Sequence, residues 1–283
     1  MAIELDKVSY KYNENTPLER RGINEITAKF IPAKINAIIG PSGSGKSTMV
    51  ELMNGLLIPS SGVLNSFGIE IKKGKKIKDI NELRRKVSLS FQNPEDQLFN
   101  RTVKEEILFG INQKKYTEEE LDKKVSAALN MLGMKKDVLE RNPLYMSKGE
   151  KRKVAIMASL IHNPDVLILD EPTVGLDGSS KKELFKILEH LKKEYGKTII
   201  IVSNDIEFIY KISDYIYLLK GGSLVMNGTK EQVFQNLDIL RNNGIIIPKI
   251  LEFIDLARKK KGVNLDNYFD THELMKAIYR NVE

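Results

Sequence analysis

The chain has 283 residues, 41% of them hydrophobic and 29% charged, a soluble globular composition with room for one core plus an appendage. It contains no cysteine, which excludes disulfides and thiolate metal sites and agrees with a reducing cytoplasm. No apolar run approaches the roughly 20 residues of a membrane helix, no signal-peptide layout opens the chain, and the net charge of +7 brings nucleic acid and anionic membrane surfaces under consideration.

In chain order, IELDKVSYKY and GINEITAKF alternate in a way that predicts antiparallel strands. INAIIG is a continuous apolar run, the pattern of a central strand, and it leads into GPSGSGKST and the helical MVELMNGLL. VSLSF, at 87–91, predicts another short strand. From about 93 to 161 a helical pattern prevails. There TEEELDKKVSAALNMLG places Leu121, Val125, Ala128 and Leu132 on one face, and Thr117 with Glu120 forms a capping box. VLILD and TIIIVSND return to buried-strand runs, with the helical SSKKELFKILEHLKKEYG between them. Such strand–helix alternation predicts an α/β fold with a mostly parallel sheet. GGSLVMNGT reads as part of a hairpin. Beyond it the chain divides into a main domain at 1–228 and a helical extension at 229–283. In that extension Ile250, Phe253, Ile254 and Ala257 share a face, which either packs on its own domain or docks a partner.

The basic clusters at 72–78, 84–86 and 257–261 have no interleaved aromatic residues. They read as solvated loops and helix ends rather than a nucleic-acid surface, with weak contact to phospholipid headgroups as the next reading. His162, His190 and His272 lack metal-ligand spacing.

GPSGSGKS matches G-x-x-x-x-G-K-[ST] at Gly40, Gly45, Lys46 and Ser47, after a strand and before a helix. Glycine lets backbone N–H groups curl around a phosphate, and the helix N-terminus adds partial positive charge. Lys46 is expected to reach the β- and γ-phosphates, and Ser47 to bind Mg²⁺. The motif implies a nucleoside triphosphate. Further on, DVLILDEPTVGLD ends a strand with adjacent carboxylates, which strand alternation sends to different sides. Asp170 fits the Mg²⁺ role, through water, and Glu171 a general base.

The phosphate loop, FQNPEDQLF, MSKGEKRKVAI, LILDEPTVGLD and the strand ending at Ser203–Asp205 stand in the order and approximate spacing found in ABC-transporter ATPase subunits. The chain resembles that family over residues 1 to about 228. FQNPEDQLF and the helical tail are similar to the ATPases of energy-coupling-factor transporters, which import vitamins and metal ions. The resemblance implies the P-loop NTPase fold of ABC ATPases, with an antiparallel β subdomain, a helical subdomain at about 93–161 and a C-terminal helical extension. It implies ATP against Gly40, Pro41, Ser42, Gly43, Ser44, Gly45, Lys46, Ser47 and Thr48, with Tyr12 stacked on adenine. Gln92 is implied to contact Mg²⁺ alongside Ser47 and Asp170. Pro94, Glu95, Gln97 and Leu98 are implied to lie on the surface facing a membrane subunit, and Asp177 to cross an ATPase dimer interface.

Two positions depart from the pattern. The family's Leu-Ser-Gly-Gly-Gln, which caps the γ-phosphate held by the opposite subunit, reads Met146, Ser147, Lys148, Gly149, Glu150. Lys148 adds bulk where backbone approaches a phosphate; its ammonium either points at that phosphate or out to solvent. Glu150 suits a helix N-terminus but repels phosphate. Asn204 stands where the family has a histidine holding the γ-phosphate and the attacking water; it can hold a phosphate oxygen but cannot relay a proton. Because the sites are shared, a heterodimer with a more regular ATPase would give each site a single departure.

The resemblance implies an ATP-hydrolysing subunit of an importer, with ATP and Mg²⁺ as ligands. It further implies a second ATPase and membrane subunits as partners, and a peripheral place on the cytoplasmic membrane face. A nucleotide-binding regulatory subunit without hydrolysis and a soluble ABC-type protein of translation or DNA repair are the alternatives.

Overall fold

The computed structural model describes residues 3–261. His272, the side chains of the basic run at 258–261, and the tail past 261 lie outside what it describes.

Two sheets are built. Strands β1 (Ile3–Tyr12), β2 (Arg20–Lys29), β4 (Ser61–Ser66) and β5 (Ile69–Ile71) make an antiparallel sheet in the order β2-β1-β4-β5. Between β2 and β4 the chain inserts β3 (Ile35–Ile39) and helix α1 (Lys46–Met53), both of which serve the second sheet. That sheet has six strands, adding β6 (Val87–Ser90), β7 (Val166–Asp170), β8 (Thr198–Val202), β9 (Tyr215–Lys220) and β10 (Ser223–Thr229). Its order is β10-β9-β3-β8-β7-β6, all neighbours parallel except the β9–β10 hairpin. Helix α2 (Ile80–Lys86) runs directly into β6.

Residues β3, β7 and β8 read as apolar runs because both their faces are covered. Period-two alternation then sorts the side chains into two cores. Ala37, Ile39, Leu167, Leu169, Ile199 and Ile201 face a helical layer. Ile38, Ile168, Ile200 and Val202 face α1 and the antiparallel sheet.

The helical stretch between β6 and β7 holds α3 (Val103–Leu108), α4 (Glu118–Leu132) and α5 (Lys148–Leu160). Val125, Ala128, Leu129 and Leu132 of α4 are buried, with Leu121 packed at the margin. The Thr117–Glu120 capping box is formed. Helix α6 (Gly178–Tyr195) joins β7 to β8, and α7 (Ile206–Ile212) joins β8 to β9.

After β10 come α8 (Lys230–Phe234), α9 (Leu237–Asn242) and α10 (Lys249–Lys261). Helix α10 packs on its own chain through Ile250, Leu251, Ile254 and Ala257. Phe253, expected on that face, is instead 47% exposed. Leu251 lies three residues before Ile254 and takes the inner position, leaving Phe253 on the flank.

Thr117 accepts from the Glu120 N–H at 3.2 Å, and Glu120 returns a bond to the Thr117 N–H at 2.8 Å. Thr117→Ala is expected to cost about 1 kcal/mol of unfolding free energy in urea, without change in nucleotide affinity.

Candidate nucleotide site

The phosphate loop turns off the C-terminal end of β3. A Cβ on Gly40 would overlap the carbonyl oxygen of Leu219 in β9. At Gly45 φ is +98°, and a Cβ would lie 2.5 Å from the Gly22 carbonyl oxygen, so only glycine fits. Gly22 is itself pressed in: a Cβ there would lie 2.9 Å from Cγ2 of Thr48 and 3.0 Å from the Tyr12 ring. Gly45 N-caps α1 with no side-chain cap, so the first turn keeps N–H groups free for an anion. Ser44 Oγ is buried in the loop with no hydrogen-bond partner, while Ser42 and Gly43 are exposed at its tip. Lys46 Nζ folds back to donate to the carbonyls of Gly40, at 2.8 Å, and Pro41, at 3.0 Å. Burial pushes the Lys46 pKa down, against the pull of Glu171 and Asp170. An orphaned hydroxyl, uncapped amides and an ammonium around one loop are the donors that a polyphosphate needs.

Tyr12 shares a hydrogen bond with Thr48, Oη to Oγ1 at 2.8 Å, and the Arg20 guanidinium lies 5.7 Å from the ring centre. The aromatic ring is thereby tied to the residue after Ser47.

Parallel pairing of β3, β8 and β7 puts the carboxylates beside this loop. Ser47 Oγ donates to Asp170 Oδ2 at 2.8 Å. Burial raises the Asp170 pKa; Ser47 and Lys46 oppose the shift. Glu171 has φ +49°, uncommon for a residue with a Cβ. Its N–H donates to the Val202 carbonyl at 2.8 Å, which fixes it beside β8. The carboxylate accepts from Ser203 Oγ at 3.2 Å, from the Asn204 N–H at 3.1 Å and from Asn204 Nδ2 at 2.6 Å. Burial raises the Glu171 pKa, the Asn204 N–H and the Ser203 hydroxyl lower it, and Asp170 adds to the rise. Asn204, expected over a phosphate oxygen, thus gives its amide to Glu171.

Gln92 is exposed two residues past β6, on the edge where Asp170 ends β7. The segment after it departs from expectation. Pro94, Glu95 and Leu98 are buried, and only Gln97 of the four faces outward. Glu95 is drawn inward because Arg152 of α5 offers a buried counter-charge, Nε to Oε2 at 2.9 Å. The pairing does not show in sequence: Glu95 was expected at the surface, and Arg152 is one of four basic residues in KGEKRK.

Ser147 is the N-cap of α5, with Glu150 completing a capping box and bonding Arg141 at 2.8 Å. The Ser147 N–H, Arg141 and the Ser147 hydroxyl hold the Glu150 carboxyl down at about 2. The Lys148 side chain is half exposed to solvent. It lies over Gly175, with Nζ 3.4 Å from Glu95. Gly149 backs onto Ser180 so tightly that a Cβ would come 2.6 Å from its hydroxyl. Asp177 N-caps α6, accepting from the Ser180 N–H at 2.7 Å, and that bond lowers its pKa. The residues fall into two groups: the loop with Asp170, Glu171 and Asn204, and the α5–α6 starts with Ser147 to Glu150 and Asp177.

Residues 23–174 match the family described as ABC transporter. The chain is 38% identical over 279 residues to the energy-coupling factor transporter ATP-binding protein EcfA2 of Streptococcus agalactiae, covering 98% of this chain and 99% of that one. The EcfA2 of Bacillus cereus is 38% identical over 94% of this chain and 90% of its own length. Among solved structures, cbiO1 from Clostridium perfringens, described as part of the ABC transporter complex cbiONQ, superposes with a TM-score of 0.75. It is 32% identical and covers 89% of this chain and 98% of its own. The bacterial ABC transporter cassette MJ0796, in its dimeric structure, gives 0.67 at 26% identity, over 81% of this chain and 98% of its own.

A carboxylate held below its ordinary value of 4.5 stabilises the fold fully above that value, and the gain is lost as pH falls towards about 2. Glu150→Gln preserves the capping geometry but removes the charge. Urea unfolding at pH 7 should show the variant weaker by about 0.5 kcal/mol, the scale for an exposed helix-terminal charge. The gap should narrow at successively lower pH below 4.5.

Proposed function

The chain belongs to the ABC transporter ATPase family, and on that premise we infer that it is the ATP-binding and ATP-hydrolysing subunit of an energy-coupling-factor-type importer of a vitamin or metal ion. The observation that carries this reading is the meeting of Lys46, Ser47, Asp170 and Glu171 at one edge of the central sheet.

The loop amides from Ser42 to Thr48 and the uncapped start of α1 take the phosphates, and Lys46 exchanges its loop carbonyls for the β- and γ-oxygens. Tyr12, tethered through Thr48, offers its ring to adenine. Ser47 Oγ and Asp170 Oδ2, hard oxygens 2.8 Å apart, suit Mg²⁺, which takes few protein ligands and keeps waters and phosphate oxygens. Gln92 lies on the same edge as a further oxygen donor. Bound there, Mg²⁺ supplies charge against the phosphate oxygens. Glu171 accepts the proton of the attacking water; burial, by raising its pKa, makes it a better base.

Ser147, Lys148, Gly149 and Glu150 lie on a different part of the chain, and they serve the ATP held by a second ATPase, with Asp177 at the interface. A partner with a regular signature and a histidine gives each shared site one departure, so the complex is a heterodimer. Membrane subunits dock at the exposed residues around Gln92 and Gln97. Among the described residues no helix is long and apolar enough to cross a membrane; the chain is peripheral on the cytoplasmic face and holds no nucleic acid.

The test is ATP turnover by the complex that copurifies with this chain, its partner's site silenced by replacing the partner's own phosphate-loop lysine. Lys46→Ala should remove turnover together with tight ATP binding. Glu171→Gln should cut turnover at least about 100-fold while ATP still binds. Parent-like turnover in Glu171→Gln would refute the general-base assignment, whereas ATP binding without Lys46-dependent turnover in the parent would leave a nucleotide-binding module.

A further inference from the structure

Arg152 lies within MSKGEKRKVAI, but neither the sequence nor the reading above gives it a role in the nucleotide site. It is 2% exposed, in the first turns of α5. On one side it meets the buried Glu95. Nη2 donates to Oε1 at 3.0 Å, and Nε faces Oε2 at 2.9 Å as an ion contact out of line for a hydrogen bond. On the other side Nη2 donates to the Val174 carbonyl at 3.1 Å, and Nη1 lies 3.5 Å from the Glu171 carbonyl, long for a hydrogen bond. Those two carbonyls are the ends of one turn, closed by the Val174 N–H on the Glu171 oxygen at 3.3 Å.

Glu171 opens that turn in the left-handed region, with φ +49°. Such a conformation persists only where its surroundings hold it. The Val202 carbonyl holds its N–H from the β8 side; Arg152 lies against its carbonyl from the α5 side. If the guanidinium served only to neutralise Glu95, the carboxylate alone would occupy it. Instead the planar fork spans the carboxylate and the turn, so that the position of one fixes the other. Glu95 lies in the Pro94–Gln97 turn, three residues after Gln92.

We propose that Arg152 is a positioning residue for ATP hydrolysis: anchored by Glu95, it braces the turn from Glu171 to Val174 and so sets where the Glu171 carboxylate stands. This rests on the reading of Glu171 as the general base. A displacement of the Pro94–Gln97 turn is passed through one guanidinium to the reacting end of the site, where about 1 Å of misplacement can cost about 100-fold in rate.

Two variants keep both charges and change the geometry. Glu95→Asp withdraws the anchor by one methylene. Arg152→Lys replaces the fork by a single ammonium that cannot span the carboxylate and both carbonyls. In the complex that copurifies with the chain, again with the partner's phosphate-loop lysine replaced, kcat, Kd for ATP and thermal unfolding are measured for each. The expected result is kcat down about 10-fold or more, with Kd for ATP within about twofold of the parent and a folded protein. The proposal is overturned if a folded variant keeps kcat within about twofold, or if kcat and Kd change in step. It is also overturned if kcat follows only the folded fraction, or if both variants fail to fold, since the pair is then structural alone. Glu171→Gln runs in parallel. Full turnover in that variant refutes the general-base reading; its loss, with Glu95→Asp and Arg152→Lys unaffected, refutes the brace alone.

Discussion

Parallel pairing makes neighbouring strands finish on one edge, and in this chain the site depends on that. Val202 pairs with Ile38 on one side and with Asp170 on the other, so three strands run out within a few ångströms of each other. Each releases a different chemistry at its end: β3 an anion-binding loop, β7 two carboxylates, β8 the donors Ser203 and Asn204. Hydrogen bonds cross between the ends, from Ser47 to Asp170 and from Asn204 to Glu171. Adjacent carboxylates on one strand repel unless each finds its own donors, and these crossing bonds supply them.

The strand ends were legible because sequence carries them twice, as apolar runs and as the polar residues that stop them. INAIIG, VLILD and TIIIV announce buried strands by length and composition, and glycines mark the loop that only glycine can form. The capping box at Thr117 was equally plain, because it needs only two residues three positions apart. The β4–β5 pair and β9 drew no such reading; β5 has only three residues and depends on pairing for its existence.

What sequence left hidden were choices between partners distant along the chain. Nothing in FQNPEDQLF says that Glu95 turns inward, because its counter-charge lies 57 residues away in α5. The amide of Asn204 donates to the Glu171 carboxylate, a partner 33 residues away that its own segment does not announce. Lys148, half exposed, also lies within reach of Glu95, which keeps acceptor capacity beyond Arg152. Local pattern fixes which elements form; long-range electrostatics decides where their polar side chains settle.

Gly22 carries a consequence of a different kind. It lies on β2, in the other sheet and well upstream of the phosphate loop, yet it is squeezed between Tyr12, Thr48 and Gly45. The antiparallel sheet meets the phosphate loop there, the Gly22 carbonyl so close to Gly45 that a Cβ on Gly45 would lie 2.5 Å from it. Mutational tolerance at Gly22 should therefore resemble that of a loop glycine, although no motif includes it. A sequence drifting under selection would keep this position for reasons invisible to any pattern of contiguous residues. The boundary of the nucleotide site, in the sense of what evolution is free to alter, runs through the neighbouring sheet.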